Sequence, residues 1–274
     1  MRRQGPYDAQ RVPSFAVLVE ASTKERADLM RPLVGRVDRA GRQYVRSLPD
    51  VHGMRSTVAG KADRNALVDG YDGRTVAIKR LLSAMVDSLP EENADLCPYC
   101  SLDQNPDLDH FLPKAKFAEF SLFARNLIPI CTPCNRKKLS AVKTGNGDRM
   151  FLNPAFEPSI DQPILEASIS YAAEKVFVTY AINNAGPLPA PELAVAKRHF
   201  KRLDLADRYR KRAHAFLSAL KNSTKKMSPA VKAEALRNKI EGAHLGCPAN
   251  SWEPALARAI EEDLPAMLAW LAEP

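Results

Sequence analysis

Apolar residues recur at helical spacing through the first third of the chain. Ala21-Ser22-Thr23-Lys24-Glu25 offers a helix start, and Leu29, Leu33, Val37, Tyr44 and Val45 then give a loose apolar face, interrupted at Pro49 and Gly53. After a turn at Gly70–Gly73, the spacing of Val76, Ile78, Leu81, Leu82, Met85, Val86 and Leu89 predicts a second helix closed by Pro90. The pattern changes between Asp95 and Pro154. That stretch is rich in Pro, Asn, Asp and Cys and has no long periodic run, so a bound metal is expected to replace much of a missing core. Beyond Ile164, two β-prone runs flank Ala172–Lys175. The first holds Ile169 and Tyr171; the second alternates Val176, Val178 and Tyr180 against Phe177 and Thr179, which predicts a hairpin. Gly186-Pro187-Leu188-Pro189 reads as a linker or sharp turn. From Pro191 onward the chain reads as helix, with Ser251-Trp252-Glu253-Pro254 capping a last helix that ends in Met267, Leu268, Trp270 and Leu271. The expected class is α+β, mostly helical. It comprises a helical region at 1–94, a metal-stapled core at 95–154, and a β-hairpin followed by helices at 155–274.

Composition narrows the class of partner. The 274 residues are 45% hydrophobic, enough for a true core, and carry 40 basic against 32 acidic side chains, a formal charge of +8. Such an excess suits an anionic partner, nucleic acid before membrane. No apolar run reaches the ~18 to 20 residues of a membrane-spanning helix. The opening MRRQGPYDAQRVPSF carries no apolar run of signal-peptide length, so a cytoplasmic protein is expected.

Four of the five cysteines form two CxxC pairs, Cys97 with Cys100 and Cys131 with Cys134. Each CxxC turn can aim two thiolates at one ion, and this spacing points to a structural zinc with no open position for water. The alternatives are a chance scatter of cysteines or a redox pair, and no thioredoxin-like βαβ pattern surrounds either motif.

Between the pairs stands Asp107-Leu108-Asp109-His110-Phe111-Leu112-Pro113-Lys114. A carboxylate beside a histidine suits hydrolysis of a phosphodiester. The hard oxygen of Asp109 can hold Mg²⁺ or Mn²⁺, and neutral His110 can take a proton from water. The Asn126 amide could hold the histidine-bearing loop. Asn135, directly after the last cysteine, could be a second ligand to the catalytic cation, and Lys114, Arg136, Lys137 and Lys138 could meet phosphate. The bland alternative is a purely structural zinc module in which Asp109 and His110 are bystanders.

The order CxxC, DHxxPK, NLxPxCxxCNxxK resembles the HNH, or ββα-metal, nucleases over about Cys97 to Lys138. The resemblance implies a small hairpin and one helix around a single catalytic cation. It further implies His110 as general base, Asp109 as a metal ligand, Asn126 as the loop-ordering asparagine and Asn135 as the third motif member, in an H-N-N variant. Its products would carry 5′ phosphate and 3′ hydroxyl, and it favours DNA over RNA. More loosely, Phe117-Ala118-Glu119-Phe120-Ser121 and Phe151-Leu152-Asn153-Pro154 are similar to HNH proteins of Septu-type bacterial anti-phage systems, which implies an ATPase partner.

Other signals are weaker. A basic run, Lys197-Arg198-His199-Phe200-Lys201-Arg202 continuing through Arg208, Arg210, Lys211 and Arg212, reads equally as a DNA-tracking face or a solvated one. His52, His199, His214 and His244 are isolated. Cys247 lacks a partner in sequence and is expected to be a buried free thiol, and Trp252 and Trp270 to anchor the last helix. The glycines at Gly53 and Gly60-Lys61 lack the spacing and hydroxyl of a phosphate loop.

Overall fold

Ser14 opens the helical region: its hydroxyl accepts a hydrogen bond from the Val17 N–H, and α1 (Phe15–Glu20) follows. The computed structural model describes all residues except 2–3, 5–6, 90–95, 173–174, 184–187 and 274, and the side chains at 158 and 159. Thr23 stands at the N-cap of α2 (Lys24–Met30), at the expected start. α3 (Val34–Arg46) buries Val37, Ala40, Gly41 and Tyr44 at three-to-four-residue spacing. Leu29 and Val45, placed by periodicity on the apolar face, are 63% and 43% exposed. Their neighbours Met30 and Tyr44 occupy the inward positions instead, since adjacent residues on a helix point about 100° apart.

The turn expected at Gly70–Gly73 is shorter. Gly70 lies inside α4 (Lys61–Asp72), and Gly73 caps it before α5 (Val76–Val86). A Cβ at Gly70 would sit 2.5 Å from Met30 Sδ, so glycine there permits the close packing of α4 on α2. Thr75 caps α5 through the Ile78 N–H. Ile78, Leu82, Met85 and Leu89 are buried, while Val76, in the first turn, faces outward. α5 ends at Val86, and Pro90 lies outside the described residues.

Leu18, Met30, Val37, Leu67, Ile78 and Met85 build a core that also takes Leu122, Ala124 and Leu127 from the motif segment. The metal-motif stretch therefore shares a hydrophobic core with the N-terminal helices rather than doing without one. Residues Arg3–Tyr99 and Asp103–Glu157 group as one compact unit. Buried Glu119 helps to tie them together: its carboxylate accepts from Thr57 N (2.6 Å), Thr57 Oγ1 (3.2 Å) and Ser56 Oγ (2.8 Å). Phe151, also buried, stacks on Tyr99 with ring centroids 6.0 Å apart.

The other unit consists chiefly of Pro158–Pro274. It opens on an antiparallel hairpin, β3 (Leu165–Ala172) and β4 (Lys175–Ile182), in register from Leu165↔Ile182 to Ala172↔Lys175. Val176, Val178, Tyr180 and Ile182 face inward and Phe177 outward, as the alternation predicts. The residues between the strands, and Gly186-Pro187 of the expected linker, lie outside the described residues. Helices α7 (Ala190–Arg202), α8 (Leu205–Thr224), α9 (Pro229–Gly246), α10 (Trp252–Glu262) and α11 (Leu264–Ala272) follow. α8 packs on β4 and α10 on β3.

Buried Asn250 pins the entry to β3. Its Oδ1 accepts from the Ile164 and Leu165 N–H groups, and its Nδ2 donates to Ile160 O and Gln162 O. The single last helix expected from Trp252 onward is two helices. Asp263 accepts from the Ala266 N–H and caps α11, and Pro265, which has no N–H to continue the ladder, suits its first turn. Trp270 is buried there, and half-buried Trp252 meets the Phe216 ring edge to face at 5.8 Å. The architecture is α+β and mostly helical. No described helix is long and apolar enough to cross a membrane.

Candidate active site and metal centre

The motif residues ride on a hairpin and one short helix. β1 (Asp107–His110) pairs antiparallel with β2 (Leu127–Ile130), matching Asp107↔Ile130, Leu108↔Pro129, Asp109↔Ile128 and His110↔Leu127. Pro129 is tolerated because each strand of a two-stranded sheet has a free edge. Cys131 stands at the N-cap of α6 (Thr132–Lys138), and Pro133 in its first turn suits a helix start.

Cys97, Cys100, Cys131 and Cys134 are all buried, and their Sγ atoms lie within 4.8 Å of one another. Four thiolates about 2.3 Å from one tetrahedral zinc would stand about 3.8 Å apart. The group could therefore hold a single metal ion such as zinc. The first CxxC turn is closed by Cys97 N donating to Asp103 O at 2.9 Å, with Ser101 in the left-handed region at φ 51°.

His110 is buried at the end of β1, its Nε2 2.8 Å from Ser121 O. A carbonyl oxygen only accepts, so Nε2 carries the proton and Nδ1 keeps a lone pair. Burial pushes the ring pKa down to about 4, against the opposing pull of the Ser121 hydrogen bond, so the imidazole is neutral near pH 7. The Tyr71 ring packs edge to face on it at 4.3 Å. Asn126 lies wholly inside. Its Oδ1 accepts from Leu112 N at 2.8 Å, and its Nδ2 donates to Leu112 O at 2.9 Å and Phe120 O at 3.2 Å. Its backbone oxygen takes the Phe111 N–H at 2.8 Å. The two residues after His110 are thereby fastened to the chain that supplies its Ser121 partner.

Asp109 is buried beside Lys138, whose Nζ lies 2.9 Å from its Oδ2 and also donates to His110 O at 2.8 Å. Burial raises the Asp109 pKa, and the Lys138 charge opposes that rise. Lys138 is 0% exposed, so it does not face phosphate as its place in a basic run suggested. Three consecutive residues on a helix point in three directions, and here the third points inward. Arg136 is exposed and Lys137 half-buried. Lys114 forms an ion pair with Asp72 and lies 5.1 Å from the Tyr71 ring.

Asn135 Nδ2 donates to Asp107 Oδ2 at 3.2 Å. A carboxylate only accepts, so the amide nitrogen faces Asp107 and its Oδ1 remains available as a donor to a cation. Asp109, His110, Asn135, Arg136, Lys114 and Tyr71 line one cavity of about 440 Å³. The structure thus gathers Asp109, His110 and Asn135 around one space and sets Asn126 behind it. The motif assigns Asp107 no role, although strand alternation puts it on the same face as Asp109. Tyr71 and the Ser121 carbonyl come from remote segments and left no sequence signal.

The isolated residues resolve individually. His199 is buried on α7, His244 lies 3.0 Å from Glu261, and His52 is 3.9 Å from Asp50. Cys247 is half-buried rather than buried, and burial pushes its thiol up to about 11.

No family profile matches the chain, and no solved structure matches it. The chain is similar to the protein ea31 of Escherichia phage lambda, at 29% identity over 143 residues. That similarity covers 48% of this chain and 45% of the phage protein, so the chain spans less than half the length of the curated relative it matches.

Proposed function

We propose that this chain is a metal-dependent endonuclease of the HNH type that hydrolyses DNA phosphodiester bonds. The observation that carries this reading is His110. It is a buried, neutral imidazole with Nε2 committed to Ser121 O, lining an open cavity with Asp109 and Asn135. In the proposed reaction the lone pair on His110 Nδ1 takes a proton from the attacking water. Ser121 O keeps the ring in the tautomer that can do so, and Asn126 keeps the loop from moving. Asp109 and Asn135 would hold a Mg²⁺ or Mn²⁺ ion. Their oxygens are hard donors suited to it, and the Asn135 amide already has its nitrogen turned to Asp107. When bound, such a cation neutralises charge at the phosphate and at the leaving 3′ oxygen. The four cysteines would hold a structural zinc that keeps the hairpin and helix together.

The looser sequence resemblance extends this to a cytoplasmic effector of a bacterial anti-phage system working with an ATPase partner. One observation favours a second reading, a catalytically silent zinc module that binds nucleic acid or a partner protein: Lys138 already meets the Asp109 charge.

Cleavage of supercoiled plasmid with Mg²⁺, with Mn²⁺ and with EDTA separates the two. The nuclease reading expects metal-dependent nicking that falls by about 10²- to 10⁴-fold in His110→Ala, read on variant protein that still shows a cooperative melting transition and holds zinc. Equal cutting by His110→Ala removes the assigned base. A folded, zinc-loaded protein that cuts neither DNA nor RNA, alone or with its ATPase, favours the silent module.

A further inference from the structure

On the C-terminal basic run, Arg210 and Lys211 both pair with Asp207. On α3, Arg39, Arg42 and Arg46 stand at i, i+3 and i+7, one stripe on the side opposite buried Val37, Ala40, Gly41 and Tyr44. Arg42 and Arg46 reach a groove of about 380 Å³ whose other walls are Asp38, Gly41, Val45, Phe123 and Arg125. Among the described residues, none of Arg39, Arg42, Arg46 and Arg125 has a carboxylate partner, whereas Arg36 on the same helix pairs with Asp63 at 2.9 Å. Like charges at these spacings weaken a helix, so the stripe works against the stability of its own element.

The groove is also shaped and rigid. The Phe123 ring packs on Tyr44 at 5.4 Å and on Phe120 at 5.6 Å. A Cβ at Gly41 would stand 2.7 Å from that ring, so glycine lets the ring lie against the helix. Phe123 and Val45 form an apolar floor between guanidinium forks, a surface suited to sugar flanked by phosphate. From Arg39 to Arg46 the helix rises about 10 Å, the axial span of about three phosphates on one strand. A repeated anion fits that length better than a single phosphate group. The segment 121–126 connects the groove to the candidate base. Ser121 O holds His110 and Asn126 holds the following loop, while Phe123 and Arg125 between them face the groove.

We propose that the outer face of α3 with Arg125 is a surface that grips the phosphate backbone of duplex DNA. The choice of DNA as the polyanion rests on the nuclease reading. The test is binding to a short labelled duplex of mixed sequence by anisotropy across a salt series, without added Mg²⁺ or Mn²⁺ so that binding is read apart from cutting. Arg42→Ala/Arg46→Ala/Arg125→Ala should reduce the slope of log affinity against log salt by about 2 to 3 and weaken binding by at least about tenfold at low salt. The corresponding triple lysine variant should keep the slope. So should Lys225→Ala/Lys226→Ala/Arg237→Ala, which removes the same charge elsewhere. If the triple alanine variant loses its melting transition, Arg42→Ala alone carries the test, with a slope change of about 0.9. The proposal is overturned if the alanine variants bind like wild type, if the control loses as much, or if wild type does not bind the duplex. Binding in the expected pattern by a protein that never cuts would remove the nuclease reading and leave the surface in place.

Discussion

The two hairpins of this chain share a topology and differ in what holds them. β3–β4 runs eight residues a side, buries Val176, Val178, Tyr180 and Ile182 in strict alternation, and is covered by α8 and α10. β1–β2 runs four residues a side, and two of its buried side chains are Asp109 and His110. Hydrophobic burial accounts for the first hairpin. The second keeps polar groups inside by giving each a partner: Ser121 O for His110, Lys138 for Asp109, and the Asn126 amide for the loop between its strands. A buried polar group without a partner would cost about 1–3 kcal/mol. The site-bearing hairpin is therefore the one most exposed to single substitutions, because its chemistry and its stability depend on the same side chains.

The largest break in this comparison comes from the cysteines. Apparent zinc-binding free energies in small zinc modules are about 10–16 kcal/mol, and Cys131→Ser removes one of four ligands. Metal analysis should find zinc in wild type and little in the variant, with amide exchange accelerated across 97–134 and protection retained across 165–182. Equal acceleration in both stretches would show that the hairpins do not differ as described.

Lys138→Met comes next. It leaves the Asp109 charge buried without its partner, a change of about 3–5 kcal/mol in typical buried pairs. Urea unfolding measures it, and a loss below about 1 kcal/mol would mean the pair contributes little.

Acidification gives a smaller effect with a defined sign. The His110 pKa falls from 6.5 to about 4 on folding, so the unfolded chain takes up that proton first. Wild type should lose up to about 3 kcal/mol relative to His110→Gln as the pH drops from 6.5 through about 4, with no such trend above 6.5. Asp109 acts in the opposite sense, since its raised pKa lets the folded chain protonate there early and regain stability as pH falls. Both chains keep Asp109, so the difference isolates the histidine. A difference in melting temperature that is constant between pH 7 and pH 5 would contradict a buried neutral ring.

The smallest effect should come from the other hairpin. Val178→Ala removes buried apolar surface worth about 2 kcal/mol and should leave both zinc content and plasmid cleavage unchanged. Loss of zinc in that variant would break the separation drawn between the two hairpins.

Legibility in the sequence follows the range of the interaction. The alternation of Val176, Val178 and Tyr180 and the helix start at Thr23 are local, and the structure has them where the pattern put them. Leu29, Val45 and Val76 were misplaced because loose periodicity cannot choose between adjacent residues, and the packing partner decides. Pro265, which cannot donate to a helix ladder, marks in the sequence the division of the last helix at Asp263. At the candidate site, the spacing of cysteines, Asp109, His110, Asn126 and Asn135 was legible as a list. Lys138 turned inward, Asp107 on the Asn135 amide, and Tyr71 against His110 were not, because each joins segments far apart in the chain.

Residue types and their spacing determined that this chain would make a hairpin near 165–182 among many helices and would bring four thiols into one motif segment, while the motif-segment hairpin came only as what the resemblance implies. The first two outcomes depend on short-range periodicity and on CxxC turns. Only the tertiary structure decided that Asp109 is met by a lysine, that His110 is neutral with Nε2 on Ser121 O, and that Arg39, Arg42 and Arg46 share the outer face of α3 without a carboxylate partner among the described residues. Burial and charge pairing are properties of neighbours in space, and a linear sequence does not state which neighbours those are.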